Sequence, residues 1–131
     1  MLRIQAMDHI VLVVDDVERS LAWYGGVLGL EMLRVEEWRK GDAFFPSVRV
    51  SGDTIIDLLN GYRPRGQGNV DHICLVIDET DLEAVRDSGT FEVVEGPVTR
   101  WGARGDGTSL YVKDPDGNVV ELRHYGKTDL S

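Results

Sequence analysis

The sequence predicts an α+β fold made of two tandem βαβββ modules, because two short phrases occur twice along the chain. DHIVLVVD, which begins at Asp8, returns as DHICLVID from Asp71. Later in each half, IIDLLN and VVELRH form a second matching pair, in which Asp57 corresponds to Glu121. Both pairs recur in the same order and at nearly the same spacing, so a duplication explains them better than chance.

The length suits one domain, which we expect to span residues 1–131, with module one at about 6–62 and module two at about 69–125. The net charge of -9 disfavours nucleic acid and anionic membranes as partners, since both bind clustered Lys and Arg. The sequence lacks an apolar stretch of about 20 residues. It also lacks a signal-peptide cleavage site near the N-terminus, so it predicts a cytoplasmic location.

In module one, the β-branched run HIVLVV predicts a strand, and DDVERSLAWYGGVLGL predicts the helix that follows it. Asp15 or Asp16 can cap this helix, and Gly29 can end it. Three strand-like runs complete the module: EMLRVEEWR, AFFPSVRV and TIIDLLN.

Module two repeats this order from the strand at His72. Thr80 and Glu83 form a capping-box pattern that opens the helix DLEAVRD, and Gly89 can end it. The strand-like runs FEVVEGPV, TSLYVKD and NVVELRHY follow, and DPDG predicts a tight turn between the last two.

The strand period places both histidines on the same kind of face. Alternate residues of a strand share a face, so His9 and His72 lie opposite the aliphatic residues that should pack on each helix. Asp57 and Glu121 lie within apolar runs, where a carboxylate is costly to bury without a partner. If the modules face each other, two imidazoles and two carboxylates converge into a set that suits Zn, Fe, Mn, Ni or Co. The single cysteine, Cys74, excludes an internal disulfide, and its apolar neighbours predict a small buried core residue.

With these residues the chain resembles the vicinal oxygen chelate superfamily, which includes glyoxalase I, extradiol dioxygenases, fosfomycin-resistance enzymes and bleomycin-resistance proteins. The matching phrases are DHIVLVVDDVERSLAWYGGVLGLE, VDHICLVID and SLYVKDPDGNVVEL. The resemblance implies a U-shaped mixed sheet around one divalent metal ion (Ni, Co, Zn, Mn or Fe), with the helices on the outer face. It also implies a homodimer and a small-molecule substrate whose adjacent oxygens chelate the metal.

The same resemblance implies that His9, His72 and Glu121 are metal ligands, with Asp57 at the fourth position. Glyoxalase I enzymes usually have a glutamate there. Asp57 is one methylene shorter, which leaves direct ligation, ligation through water and action as a base all open. Members use the metal as a Lewis acid on the substrate oxygens, while a carboxylate moves a proton. We therefore expect Glu121 and Asp57 to be catalytic in a lyase or isomerase of the glyoxalase type.

Two other functions stay open at this point. The three ligands without Asp57 would suit an extradiol-type ring-cleaving dioxygenase or a fosfomycin-modifying-type transferase. Tyr111 and Ser109 share a strand face before the DPDG turn and are candidate substrate contacts, as are Arg100 and Arg104 in the preceding segment. A non-enzymatic drug-binding protein of the bleomycin-resistance type is the second alternative. The acidic charge suits a cationic drug, but such members generally lack the ligand set.

Overall fold

The computed structural model describes residues 3, 5–61, 70–102 and 104–126, and the chain divides into two compact units, Met1–Gln67 and Gly68–Ser131. Each unit contains one four-stranded mixed sheet with short helices, so the α+β class and the tandem modules are confirmed. The predicted boundary between the modules lies outside the described residues, and the single U-shaped domain stays a prediction. Of the helices in the described ranges, none combines the length and the apolarity needed to cross a membrane.

The first unit is built around a pair of parallel strands. Its elements are β1 (His9–Val14), α1 (Val17–Leu21) with a π-helical continuation (Ala22–Val27), β2 (Glu31–Leu33), α2 (Val35–Arg39), β3 (Ser47–Arg49) and β4 (Ile55–Asn60). The sheet order is β1-β4-β3-β2, with β1 parallel to β4 and the other neighbours antiparallel. The first and last strands of the module therefore lie side by side, although they are far apart in sequence.

The ends of the helices carry the residues that the sequence marks for them. Asp16 caps α1, because its Oδ1 accepts a hydrogen bond from the backbone N–H of Arg19 at 3.0 Å. Gly29 follows the π-helical continuation with a φ of 76°, a conformation that costs glycine little. Gly89 takes a φ of 75° after the helix of the second unit. The predicted helix ends at both glycines are confirmed.

The strand predicted over EMLRVEEWR is wrong beyond its third residue. Glu31–Leu33 is extended, but Arg34 takes the left-handed conformation with a φ of 61°, and α2 follows it. Arg39 stabilises this short helix through ion pairs with Glu36 at 3.1 Å and with Glu18 of α1 at 2.8 Å. The AFFPSVRV run likewise forms a strand only after its proline, which has no N–H to donate to a ladder.

The second unit repeats the sheet of the first. Its elements are β5 (Ile73–Val76), α3 (Leu82–Asp87), β6 (Glu92–Gly102), β7 (Gly105–Lys113) and β8 (Val119–His124). The sheet order is β5-β8-β7-β6, with β5 parallel to β8 and the other neighbours antiparallel. The three late strands are confirmed. The turn between β7 and β8 is held by Asp114 Oδ1, which accepts from the N–H groups of Asp116 at 2.9 Å and Asn118 at 2.8 Å.

The capping box predicted at Thr80 and Glu83 is wrong. Asp81 caps α3, since its Oδ1 accepts from the backbone N–H of Ala84 at 3.1 Å. The Thr80 hydroxyl donates instead to the backbone carbonyl of Asp78 at 2.7 Å. The helix begins one residue later than the capping-box pattern requires, so the aspartate takes the cap position.

The two faces of β1 differ in exposure as the strand period predicts. Leu12 and Val14 are buried, as are Val17 and Leu21 of α1, so the aliphatic face belongs to the core of the unit. Val11, on the face that carries the histidine, is 45% exposed. The corresponding face of β5 is exposed as well. In each unit, the histidine-bearing face of this strand is therefore the accessible one.

Candidate functional site

The strand register brings one histidine and one carboxylate together in each unit. In the first unit, Asp57 of β4 lies opposite the residue of β1 that is two places after His9. In the second unit, Glu121 of β8 lies opposite the residue of β5 that is two places after His72. The two units therefore share the same strand register for the histidine and the carboxylate.

In the first unit, His9 lies between two carboxylates. Its Nε2 is 3.9 Å from Asp57 Oδ2, and its Nδ1 donates to Asp8 Oδ2 at 2.7 Å. Asp57 is 5% exposed, and its other oxygen, Oδ1, accepts a hydrogen bond from the Ser47 hydroxyl at 2.6 Å. One oxygen of the buried carboxylate is thus occupied by a serine, and the other faces the imidazole.

The second unit repeats this arrangement with a shorter separation. His72 Nε2 is 3.0 Å from Glu121 Oε1, and its Nδ1 donates to Asp71 Oδ2 at 2.7 Å. Glu121 is 5% exposed, and its Oε2 accepts from the Ser109 hydroxyl at 2.6 Å. The four residues predicted as ligands therefore form two histidine–carboxylate pairs, one in each unit, and Ser109 belongs to the second pair.

A buried arginine distinguishes the second unit from the first. Arg123 is 3% exposed. Its Nε lies 3.4 Å from Glu121 Oε2 and donates to Ser109 Oγ at 3.2 Å. Its other two nitrogens donate to the backbone carbonyl of Arg100 at 2.6 Å and to a tyrosine hydroxyl at 3.1 Å. The register of the first unit has Leu59 at the corresponding position, so its carboxylate has no such neighbour on that strand.

Sequence reasoning misses four residues of these networks. Asp8 and Asp71 carry a visible signal, because each precedes its histidine in the repeated phrase. Arg123 shares a face with Glu121 by the period of a strand, which is a weaker signal. Ser47 carries none, since its contact depends on how β3 aligns with β4.

These contacts shift two pKa values in opposite directions. The hydrogen bond to Asp8 raises the pKa of His9 above its ordinary value, and the charge of Asp57 adds to the rise. Burial opposes the ionisation of Glu121, but the Ser109 hydroxyl and then the Arg123 guanidinium hold its pKa below the ordinary value. Glu121 is therefore an ionised carboxylate at neutral pH.

Tyr111 lies beside the second pair. It is opposite Glu121 in the β7–β8 register, and its ring packs edge-on against His72 with the centroids 5.5 Å apart. Partial burial and the charge of Glu121 raise the pKa of Tyr111, so its hydroxyl keeps its proton. Arg100 opposes this rise and is itself ion-paired with Glu95 at 2.6 Å.

Arg104 is connected to the second pair less directly. Its backbone N–H donates to the Tyr125 hydroxyl at 3.3 Å, and its guanidinium lies over the Tyr125 ring, 5.7 Å from the centroid. The same hydroxyl accepts a hydrogen bond from Arg123 at 3.1 Å. Arg104 is thus connected to Glu121 through the side chains of Tyr125 and Arg123.

The prediction that Cys74 is a buried core residue is wrong. Its side chain is exposed, on the same face of β5 as His72. Partial desolvation at the sheet surface, together with the charge of Glu121, raises the pKa of Cys74 to about 11. At neutral pH it is a protonated thiol, which is a poor nucleophile and a poor metal ligand.

The donors fit a divalent metal that accepts nitrogen and oxygen ligands. An aspartate holds Nδ1 of each histidine, an arrangement that orients an imidazole to bind a metal through Nε2. Ligands of one metal, at bond lengths of roughly 2.0–2.2 Å, lie about 3 to 3.5 Å apart. The second pair meets this spacing at 3.0 Å, and the first exceeds it at 3.9 Å. In the described ranges, no cluster of three or more His, Cys, Asp and Glu forms a complete metal site, so each unit offers two ligands.

Comparison with known proteins gives similarity along most of the chain. The sequence profile of the Glyoxalase/Bleomycin resistance protein/Dioxygenase superfamily matches residues 6–122. Virulence protein STM3117 of Salmonella typhimurium is 30% identical over 125 residues, which are 93% of this chain and 85% of that protein. A lactoylglutathione lyase of the same organism is 33% identical over 124 residues, covering 87% of this chain and 88% of the lyase. Glutathione transferase FosA of Serratia marcescens is 27% identical over 128 residues, with 94% and 82% covered.

The fold has solved counterparts as well. An integron cassette protein from the mobile metagenome of V. cholerae matches with a TM-score of 0.68 at 31% sequence identity. The match covers 95% of this chain and 98% of the cassette protein.

Proposed function

Because the chain belongs to the glyoxalase/bleomycin resistance protein/dioxygenase superfamily, we propose that it is a metal-dependent enzyme acting on a small substrate with two adjacent oxygens. Lyase or isomerase chemistry of the glyoxalase type is the proposed reaction. One observation carries the proposal: in each unit, the Nε2 of a histidine faces a buried carboxylate. The homodimer and the cytoplasmic location predicted from the sequence are part of the same proposal.

The proposed ligands of the metal are His9, Asp57, His72 and Glu121, and the ion is Ni, Co, Zn, Mn or Fe. Burial of both carboxylates supports this assignment, because a bound cation offsets the cost of burying negative charge. The orientation of both imidazoles by aspartates supports it too. When bound, the metal supplies Lewis-acid polarisation of the two substrate oxygens.

Glu121 and Asp57 are the proposed proton-moving groups. Glu121 is ionised, so it can accept a proton from a carbon next to a polarised oxygen and return it to the neighbouring carbon. Its lowered pKa makes it a weak base, so the substrate must have a carbon-bound proton that polarisation acidifies. Tyr111 keeps its proton and can donate a hydrogen bond to a substrate oxygen, and Arg100 beside it adds positive charge.

A fosfomycin-modifying-type transferase is the second candidate. Tyr111 favours it, because its ring packs edge-on against His72 and its hydroxyl hydrogen-bonds with Glu121, another proposed metal ligand. The similarity to glutathione transferase FosA supports the same candidate. The ring-cleaving alternative has less support, since β4 carries Asp57 where extradiol enzymes have an acid/base histidine.

Three assays on the protein loaded in turn with each metal separate these reactions. They measure isomerisation of the hemithioacetal of methylglyoxal and glutathione, loss of glutathione thiol with fosfomycin, and oxygen uptake with a panel of catechols. We expect isomerisation, its loss in Glu121→Gln, and its retention in His124→Ala. Thiol loss or oxygen uptake in place of isomerisation would support one of the alternatives. A metal-bound protein inactive in all three assays would contradict the proposed reaction.

A further inference from the structure

We propose that Ser47 and Ser109 are positioning residues that reserve one oxygen of each buried carboxylate, so that Asp57 and Glu121 each present a single oxygen to the metal. This inference rests on the proposed metal site and concerns how two of its ligands are held. It also assigns Asp57, whose role the sequence leaves open, the same mode of binding as Glu121.

Each serine is buried and takes the carboxylate oxygen that the histidine does not face. Ser47 is 2% exposed and Ser109 is 0% exposed. They donate at 2.6 Å to Asp57 Oδ1 and to Glu121 Oε2. The second oxygens, Oδ2 and Oε1, stand 3.9 Å and 3.0 Å from the Nε2 atoms of the histidines. In both pairs, the serine and the histidine thus contact different oxygens of the carboxylate.

The two serines reach this contact from different register positions. Ser47 stands directly opposite Asp57 in the β3–β4 pair. In the β7–β8 pair, the residue opposite Glu121 is Tyr111, and Ser109 lies two places before it. Duplication alone would place the serine at one register position in both units. The same contact at the same distance from two positions indicates that the contact itself is needed, while the position opposite Glu121 is free to carry the tyrosine.

Arg123 strengthens the contact in the second unit. Its Nε donates to Ser109 Oγ at 3.2 Å, so the hydroxyl proton of Ser109 is directed to Oε2 of Glu121. Its charge lies 3.4 Å from the same oxygen. The first unit has Leu59 at the position of Arg123, so no guanidinium on that strand supports its serine and carboxylate. Its histidine–carboxylate distance is also the longer one. Glu121 is therefore the more strongly oriented carboxylate.

Titration of the metal-free protein with Co²⁺ tests the inference through calorimetry and the visible absorption of the bound ion. Ser109→Ala removes the hydroxyl donor of Oε2 and leaves this oxygen with the Arg123 guanidinium 3.4 Å away, so we expect Co²⁺ to bind about 10- to 100-fold more weakly. We also expect an altered absorption band, because the number of coordinating oxygens changes. Ser109→Thr keeps the hydroxyl and should restore both properties. Ser47→Ala should behave like Ser109→Ala, and Ser88→Ala, outside both pairs, should behave like the wild type.

The outcomes distinguish the inference from the site on which it rests. Wild-type affinity and spectrum in both Ser47→Ala and Ser109→Ala would overturn the inference and leave the metal site standing. A loss of affinity with an unchanged spectrum, not restored by Ser109→Thr, would also overturn it, since it would reflect general loosening. A wild type that binds no Co²⁺ would overturn the metal site and the inference together. Circular dichroism of the metal-free variants reports folding, and Ser47→Ala carries the test if Ser109→Ala does not fold.

Discussion

The aspartate of each repeated DHI phrase forms a hydrogen bond with the histidine that follows it. Asp8 and Asp71 each accept a hydrogen bond from the following imidazole at 2.7 Å. With Nδ1 held in this way, Nε2 faces the buried carboxylate of the neighbouring strand. A core strand needs neither residue for packing, so the conjunction of the two in both units favours a ligand role over a structural one.

Asp8→Asn should lower the pKa of His9, because the hydrogen bond to this carboxylate is the main cause of the raised value. The wild-type imidazole should therefore become protonated at a higher pH than the imidazole of the variant. NMR titration of the imidazole protons in the metal-free protein measures both midpoints, with His124 as an internal reference. An unchanged His9 midpoint in the variant would show that Asp8 does not orient or charge the imidazole.

Cys74 should react slowly with iodoacetamide despite its exposure. Its pKa of about 11 leaves little thiolate at neutral pH. Glu121→Gln removes a negative charge that raises this pKa, so alkylation should be faster in the variant at the same pH. Mass spectrometry measures the rate without interference, since the chain has one cysteine. Equal rates in the two proteins would contradict the link between Cys74 and Glu121.

Arg123→Leu copies the residue of the first unit and should destabilise the protein by about 3–5 kcal/mol at neutral pH, because it leaves a buried carboxylate without its cation. In the wild type, the lowered pKa of Glu121 contributes stability above the ordinary glutamate pKa. That contribution is lost as the pH falls through the folded-state pKa. The free energy of unfolding of the variant should therefore change less across the acid pH range than that of the wild type.

Urea unfolding across the acid range measures this difference, with Arg104→Leu as a control that should stay close to the wild type. An equal loss of stability at every pH would indicate a packing defect with no electrostatic part.

Helices and strands with a local sequence pattern can be predicted from the sequence. Those stabilised by contacts with residues far away in the chain cannot. The strands HIVLVV, TIIDLLN and NVVELRHY have β-branched runs bounded by polar turns, and all of them form. The helix α2 is missed because Met32, Leu33 and Val35 suggest an extended run. Its Arg39 finds an ion-pair partner on α1, far away in sequence, which no local pattern reveals.

Asp81→Ala should cost about 1 kcal/mol of stability, because the cap of α3 loses its acceptor. Thr80→Ala should cost little, since its hydroxyl does not cap the helix. Chemical denaturation of both variants measures the difference, and Asp81→Asn, which keeps an acceptor, should lie near the wild type. A larger loss of stability in Thr80→Ala than in Asp81→Ala would support the capping box that the sequence suggests.

For the whole molecule, the internal repeat predicts more than any single motif does. It predicts two units of one topology, and both sheets have the same strand order. It also predicts that the two histidines, and likewise the two carboxylates, occupy equivalent positions in the two units. The contacts of Ser47, Ser109 and Arg123 with the carboxylates are not predictable in this way. They depend on the pairing of antiparallel strands, and the serine stands at a different position of that pairing in each unit.

Elemental analysis of protein purified without chelator tests most directly whether the two histidine–carboxylate pairs bind a divalent metal. We expect a near-stoichiometric content of one transition metal in the wild type and in His124→Ala, whose histidine lies outside both pairs. His72→Ala should lose most of it, because the more closely spaced pair is broken. The same substoichiometric content in all three proteins would contradict the metal site and the function proposed from it.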